Sequence, residues 1–109
     1  MPYDAHLAER VRKIVGRKKA FGEKKMFGGV GFLHNGNMCI GIWKEFLIVR
    51  IGPEAYEAAL EEPHVQEFDI TGRPMRGWVM VDADGTDSTD ALGSWIDRAI
   101  EFVETLPKK

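Results

Sequence analysis

The sequence predicts an α+β fold: a single sandwich domain over residues 1–109, with the order α-β(3-4)-α-β(1-2)-α and a mostly antiparallel sheet. Three observations lead there. Residues 4–16 and the stretch after Ser88 repeat apolar side chains at the helical period. Residues 21–51 change to the alternation of strands. Within that stretch lies Asn35-Gly36, a strong hairpin signal because a type I′ turn needs positive φ at both central positions. With 109 residues, 44% apolar and 29% charged, the chain has the size and composition of one globular domain.

The first helix, about residues 4–16, carries Leu7, Val11, Ile14 and Val15 on one stripe, with Asp4 as its cap and Gly16 at its end. Arg10, Arg12, Lys13 and Arg17 lie off that stripe. A loop at Asn35-Gly36 sets His34 opposite Asn37, Leu33 opposite Met38, Phe32 opposite Cys39, Gly31 opposite Ile40 and Val30 opposite Gly41. A second turn at Lys44-Glu45 sets Ile42 opposite Leu47 and Ile40 opposite Val49. One face of this meander then holds Leu33, Met38, Ile40, Ile42, Leu47, Val49 and Ile51, the expected core. The other holds Val30, Phe32, Cys39, Trp43, Phe46, Ile48 and Arg50, too apolar to be left in water. Helices, a long loop or another chain must cover it.

Pro53 opens a short helix, about 53–62, with Ala55, Tyr56, Ala59 and Leu60 inward, and Pro63 closes it. A short strand at Glu67–Ile70 and another at Trp78–Asp82 follow, and Asp84-Gly85 turns the chain. Asp87 or Ser88 caps a last helix reaching about Thr105, whose stripe is Leu92, Trp95, Ile96, Ala99, Phe102, Val103 and Leu106.

A net charge of −2 conceals a polarity. Residues 10–25 hold eight of the fifteen Lys and Arg residues against one acid, Glu23, whereas residues 54–104 hold thirteen acids and three basic residues. Such asymmetry suits an acidic partner at one end, or two copies attracting each other. No apolar run approaches the roughly 20 residues that span a bilayer, so no membrane partner is expected. The opening residues lack the basic-then-apolar pattern of a signal peptide, and the expected location is cytoplasmic.

Two glycine-rich, basic-aromatic segments stand out as candidates for recognition: Lys24 to Phe32 and Thr71 to Val79. From them Lys24, Lys25, Phe27, Arg73, Arg76 and Trp78 form the candidate binding surface. Phe32, Trp43 and Phe46, on the second sheet face, are the candidates for self-association as a homodimer. The first segment shows neither G-x-G-x-x-G nor G-x-x-x-x-G-K-[ST], and no helix is expected after its glycines. Cations beside Phe21, Phe27 and Trp78 do suit nucleic acid, but a pI near 5.9 is low for a dedicated binder. Cys39, the single cysteine, reads as a core residue, not a nucleophile. His6, His34 and His64 have no ligand spacing, and the acidic stretch from Asp82 has Gly93 where a calcium loop needs glutamate. No catalytic residue, metal or cofactor is expected, and the chain is read as non-enzymatic.

Five motifs in order resemble the N-terminal domain of the TfoX/Sxy family. They are Lys24-Lys25-Met26-Phe27-Gly28-Gly29, Asn35-Gly36-Asn37-Met38, Val49-Arg50-Ile51-Gly52, Gly72-Arg73-Pro74-Met75-Arg76-Gly77-Trp78-Val79 and Leu106-Pro107-Lys108-Lys109. The resemblance spans nearly the whole chain and implies an α+β fold like that of secretion chaperones. Family members include regulators of competence genes in bacteria. The resemblance therefore implies a regulatory role exercised through protein contacts; the alternative, read from the basic N-terminal half, is direct nucleic-acid binding. It supplies no catalytic residues.

Overall fold

The computed structural model describes residues 3–16, 21–26, 29–68 and 76–107. Helix α1 (Ala5–Val15) leads into four strands, β1 (Phe21–Met26), β2 (Gly29–His34), β3 (Asn37–Trp43) and β4 (Phe46–Arg50). Helix α2 (Tyr56–Leu60), β5 (Val65–Glu67), β6 (Trp78–Val81), a 3-10 turn (Ala83–Thr86) and α3 (Thr89–Val103) complete the chain. The α+β class and the element order agree with the sequence expectation. All six strands form one antiparallel sheet in the order β1-β2-β3-β4-β6-β5.

Local chemistry fixes the boundaries. The Asp4 carboxylate accepts from the amides of His6 and Leu7, and the Ser88 hydroxyl accepts from that of Ala91, so α1 and α3 both start on capped amides. Asn35 and Gly36 have φ of 53° and 83°, as a type I′ hairpin requires, and Lys44 at 54° tightens the β3–β4 turn. Helix α2 is shorter than expected. Its N-cap position is Ala55, which has no side chain to satisfy the first amides, and residues 53–55 stay a turn. β5 begins at Val65, two residues ahead of the expected strand, because Val65 pairs with Val81 and the His64 carbonyl accepts from the Asp82 amide at 2.9 Å. Asp69 and Ile70 of that expectation lie outside the described residues.

One expectation about the sheet is overturned. The register between β2 and β3 shifts after Leu33–Met38: Phe32 faces Ile40, Gly31 faces Gly41 and Val30 faces Ile42. Cys39 is passed over, which is a β-bulge. One extra residue reverses every later facing, because side chains alternate with period two. Val30, Phe32 and Cys39, expected on the second face, thus join Ile40, Ile42, Leu47 and Val49 in the main core. Phe32 is 1% exposed there, so it is withdrawn from the self-association candidates. Leu33 and Met38, expected in the core, are half-buried, and Met38 reaches over Gly41 on the second face.

All three helices pack on the bulge side. Leu7, Ala8, Val11 and Val15 of α1, Tyr56 and Ala59 of α2, and Leu92, Trp95, Ile96, Ala99 and Val103 of α3 belong to that core. The second face has a smaller cluster of its own, Ile48, Phe68 and Met80, ringed by the half-buried Trp43, Phe46 and Trp78.

Three consequences are testable. Gly52 has φ +91°, and a Cβ there would stand 2.5 Å from the Phe102 ring, so Gly52→Ala lowers unfolding stability by roughly 2–4 kcal/mol. Gly93 lies within α3 with no atom near its missing Cβ, and Gly93→Ala raises stability by roughly 0.5–1 kcal/mol, both changes being read by urea titration. Burial pushes the Cys39 thiol up to about 12, partly opposed by Arg50. Cys39 therefore stays protonated through neutral and mildly alkaline pH, and thiol reagents label it rapidly only after denaturation. Fast labelling of the native chain near neutrality contradicts this burial.

Candidate interaction surface

The sheet distributes the sequence-derived candidates between two distant places. Lys24 and Lys25 project from β1, and Trp78 opens β6, with Arg76 just before it. Three strands separate β1 from β6, about 19 Å at the usual strand spacing. The described residues of the two segments do not form one surface. Phe27 and Arg73 lie outside the described residues.

Lys24 and Lys25 are exposed and have no ion-pair partner among the described residues. Their neighbour Glu23 is engaged: Arg12 of α1 donates to both of its carboxylate oxygens and bonds Glu9 as well. This pairing raises the Arg12 pKa, chiefly through the Glu23 hydrogen bond, and anchors the end of α1 to β1. The basic edge therefore owes its charge to Lys24 and Lys25.

Arg76 and Trp78 have local duties. Arg76 lies 3.5 Å from the Glu57 carboxylate and over the Tyr56 ring at 5.8 Å, which holds it against α2. Trp78 is half-buried, 6.0 Å from the Phe68 ring, with the Arg50 guanidinium 5.2 Å over its face. That arrangement is a packed aromatic wall, not a free stacking platform.

Trp43 and Phe46 flank the β3–β4 turn as a facing pair with rings stacked at 6.3 Å. The Lys44 ammonium sits 4.6 Å over Trp43. The turn is fixed from the other end of the chain, since the Asp4 amide donates to the Lys44 carbonyl at 2.7 Å and Tyr3 bridges to Lys44. Beside Phe46 opens a groove of about 440 Å³ lined by Glu45, Phe46, Gln66, Asp82, Ala83 and Asp84. The result is a half-buried aromatic pair with a cation on one side and carboxylates on the other.

Two of the groove's residues belong to a grouping that sequence reasoning missed. His64, Asp82 and Asp84 bring ligand-type atoms within 4.8 Å of one another. His64 Nδ1 is 3.2 Å from an Asp82 oxygen that also accepts from the Gly85 amide. Asp82 is thus already the cap of the 3-10 turn, and His64 and Asp84 are exposed. Eighteen residues separate His64 from Asp82, and the β5–β6 pairing brings them together.

No described helix is long and apolar enough to cross a membrane. No curated protein and no solved structure matches the chain. A family model, the TfoX N-terminal domain, matches residues 14–103, which include β1, the β2–β3 hairpin, the β4 end and the Arg76–Trp78 segment. With nearly the whole chain matched, and with the α+β order that the resemblance implied, this protein belongs to the TfoX N-terminal domain family.

Proposed function

We propose that this chain is a non-enzymatic regulatory module of the bacterial cytoplasm that acts in transcription through protein contacts, among them contact with a second copy of itself. Family membership supports the regulatory part. The observation that carries the contact reading is the second sheet face. All three helices pack on the opposite side, and Trp43, Phe46 and Trp78 stay half-buried around Ile48 and Met80.

The chemistry around Trp43 and Phe46 favours a second copy. A two-fold interface must be self-complementary. Here Lys44 stands on one side of the aromatic pair and Glu45, Asp82 and Asp84 on the other, so a two-fold axis through the pair sets Lys44 of each copy against carboxylates of its mate. Aromatic residues enclosed by a polar rim are the usual anchors of such contacts. The buried, protonated Cys39 supports the non-enzymatic part.

Direct nucleic-acid binding is the second reading, favoured by the exposed Lys24 and Lys25. It requires an affinity that falls steeply with salt and drops on Lys24→Ala or Lys25→Ala. A flat salt dependence removes it.

Sedimentation of the full chain tests the first reading. A dimer forms as concentration rises, and its dissociation constant increases roughly tenfold or more in the Trp43→Ser, Phe46→Ser double variant and in Lys44→Glu. A strict monomer at high concentration removes the self-contact, and an unchanged dimer in both variants removes this face as its site.

A further inference from the structure

β1, six residues long, is an edge strand of the sheet, paired among the described residues only with β2. The pattern of the neighbouring hairpin shows which of its backbone groups are used. His34 and Asn37 close a two-residue loop, and such a pair exchanges both hydrogen bonds. The backbones of His34, Phe32 and Val30 therefore turn toward β3, and those of Leu33, Gly31 and Gly29 toward β1. Their partners on β1 are Gly22, Lys24 and Met26. The N–H and C=O groups of Phe21, Glu23 and Lys25 point away from the sheet, and no described backbone group bonds to them. Such a row is a template for another extended chain.

Two further features say which chain fits. Between the end of α1 and β1 lies a cavity of about 230 Å³, in which Val15, Phe21 and Phe32 supply apolar surface and Arg12 and Glu23 a polar part. It lies beside the free edge, where a side chain of an added strand can enter it. Gly22 lines it too, between Phe21 and Glu23 of β1. The charge is cationic: Glu23 is neutralised by Arg12, whereas Lys24 and Lys25 are not. Like charges opposite each other repel, so β1 of a second copy is disfavoured and an acidic strand is favoured. Nucleic acid would use the lysines but neither the alternating backbone groups nor the apolar cavity.

We infer that β1 accepts an extended acidic segment of another protein as a seventh strand of the sheet, with one apolar side chain of that segment seated between α1 and β1. Main-chain hydrogen bonds supply affinity in this mode, and the pocket and charges supply specificity. The inference rests on the reading that the module works through protein contacts.

The test uses the full chain and a labelled short peptide alternating glutamate with valine, one valine replaced by leucine. A lysine-for-glutamate peptide and a single-stranded DNA oligonucleotide serve as comparisons. Fluorescence anisotropy reports binding, and amide hydrogen exchange by NMR reports where it occurs. The acidic peptide should bind and the basic one should not. The amides of Glu23 and Lys25 should change from fast to slow exchange on binding, while that of Lys24 is slow throughout. The Lys24→Glu, Lys25→Glu double variant should weaken binding roughly tenfold or more. Lys25→Pro removes an outward donor that β2 does not use, and Lys25→Ala keeps it, so proline should weaken binding well beyond alanine. If Lys25→Pro does not fold, the wild-type exchange map decides alone. Binding without new protection at Glu23 and Lys25, equal effects of the two Lys25 variants, or tighter binding of the oligonucleotide than of the peptide each overturns the seventh strand. If the peptide fails while dimerisation through Trp43 and Phe46 persists, only this inference falls. If both fail, the protein-contact reading falls too.

Discussion

Burial of Phe32 beneath the helices depends on one unpaired residue, Cys39. The Asn35-Gly36 turn fixes the pairing of His34 and Leu33, and an unbroken ladder would then send Val30 and Phe32 away from Ile40 and Ile42. Passing over Cys39 lets both strands present their large apolar side chains to the same side. Val30 and Phe32 are each worth roughly 1.5–3 kcal/mol of burial, enough to offset a locally broken ladder. The wall so formed is what the stripe of α3 packs on, from Leu92 to Val103. Cys39 itself fills space in that wall, where a thiol behaves as a small apolar group.

With the three described helices committed to that wall, the described part of the opposite face is made of strand side chains and Phe68. Met38 lies over Gly41, Phe68 closes on Ile48 and Met80, and Arg50 lies against Trp78 and donates to the Met38 carbonyl. These contacts cover the middle of the face and leave the β3–β4 turn at its margin. That turn is also anchored, because the segment before α1 bonds to Lys44. An aromatic pair on a rigid support loses little conformational freedom when it meets a partner, which is why such positions suit recognition.

Much of the fold was legible because its signals are local. Asp4, Ser88, Asn35-Gly36 and the apolar stripes each determine structure within a few residues, and the corresponding elements lie where they were expected. The bulge was not legible, since whether Cys39 pairs depends on which register buries more surface, a property of the assembled core. The candidate surface was read less well for a related reason. Lys24 and Lys25 could be recognised as free cations from composition, but the strand order β1-β2-β3-β4-β6-β5 separates them from Arg76 and Trp78, and no periodicity encodes that order. The meeting of His64 with Asp82 was hidden in the same way, by a pairing between strands eleven residues apart.

The two margins of the sheet are unlike. One is β1, with Lys24 and Lys25; the other is β5, three residues long and ending at Glu67. Opposite charge on opposite margins is the arrangement that would let copies add end to end without limit, since a heterologous contact that does not close by rotation builds a fibre. The brevity of β5 opposes this. Three residues offer too few backbone bonds to hold a neighbouring copy, and short edges are a common safeguard against such growth. The shortness of this last edge strand therefore works against polymerisation, and any change that extended the pairing of β5 would put solubility at risk.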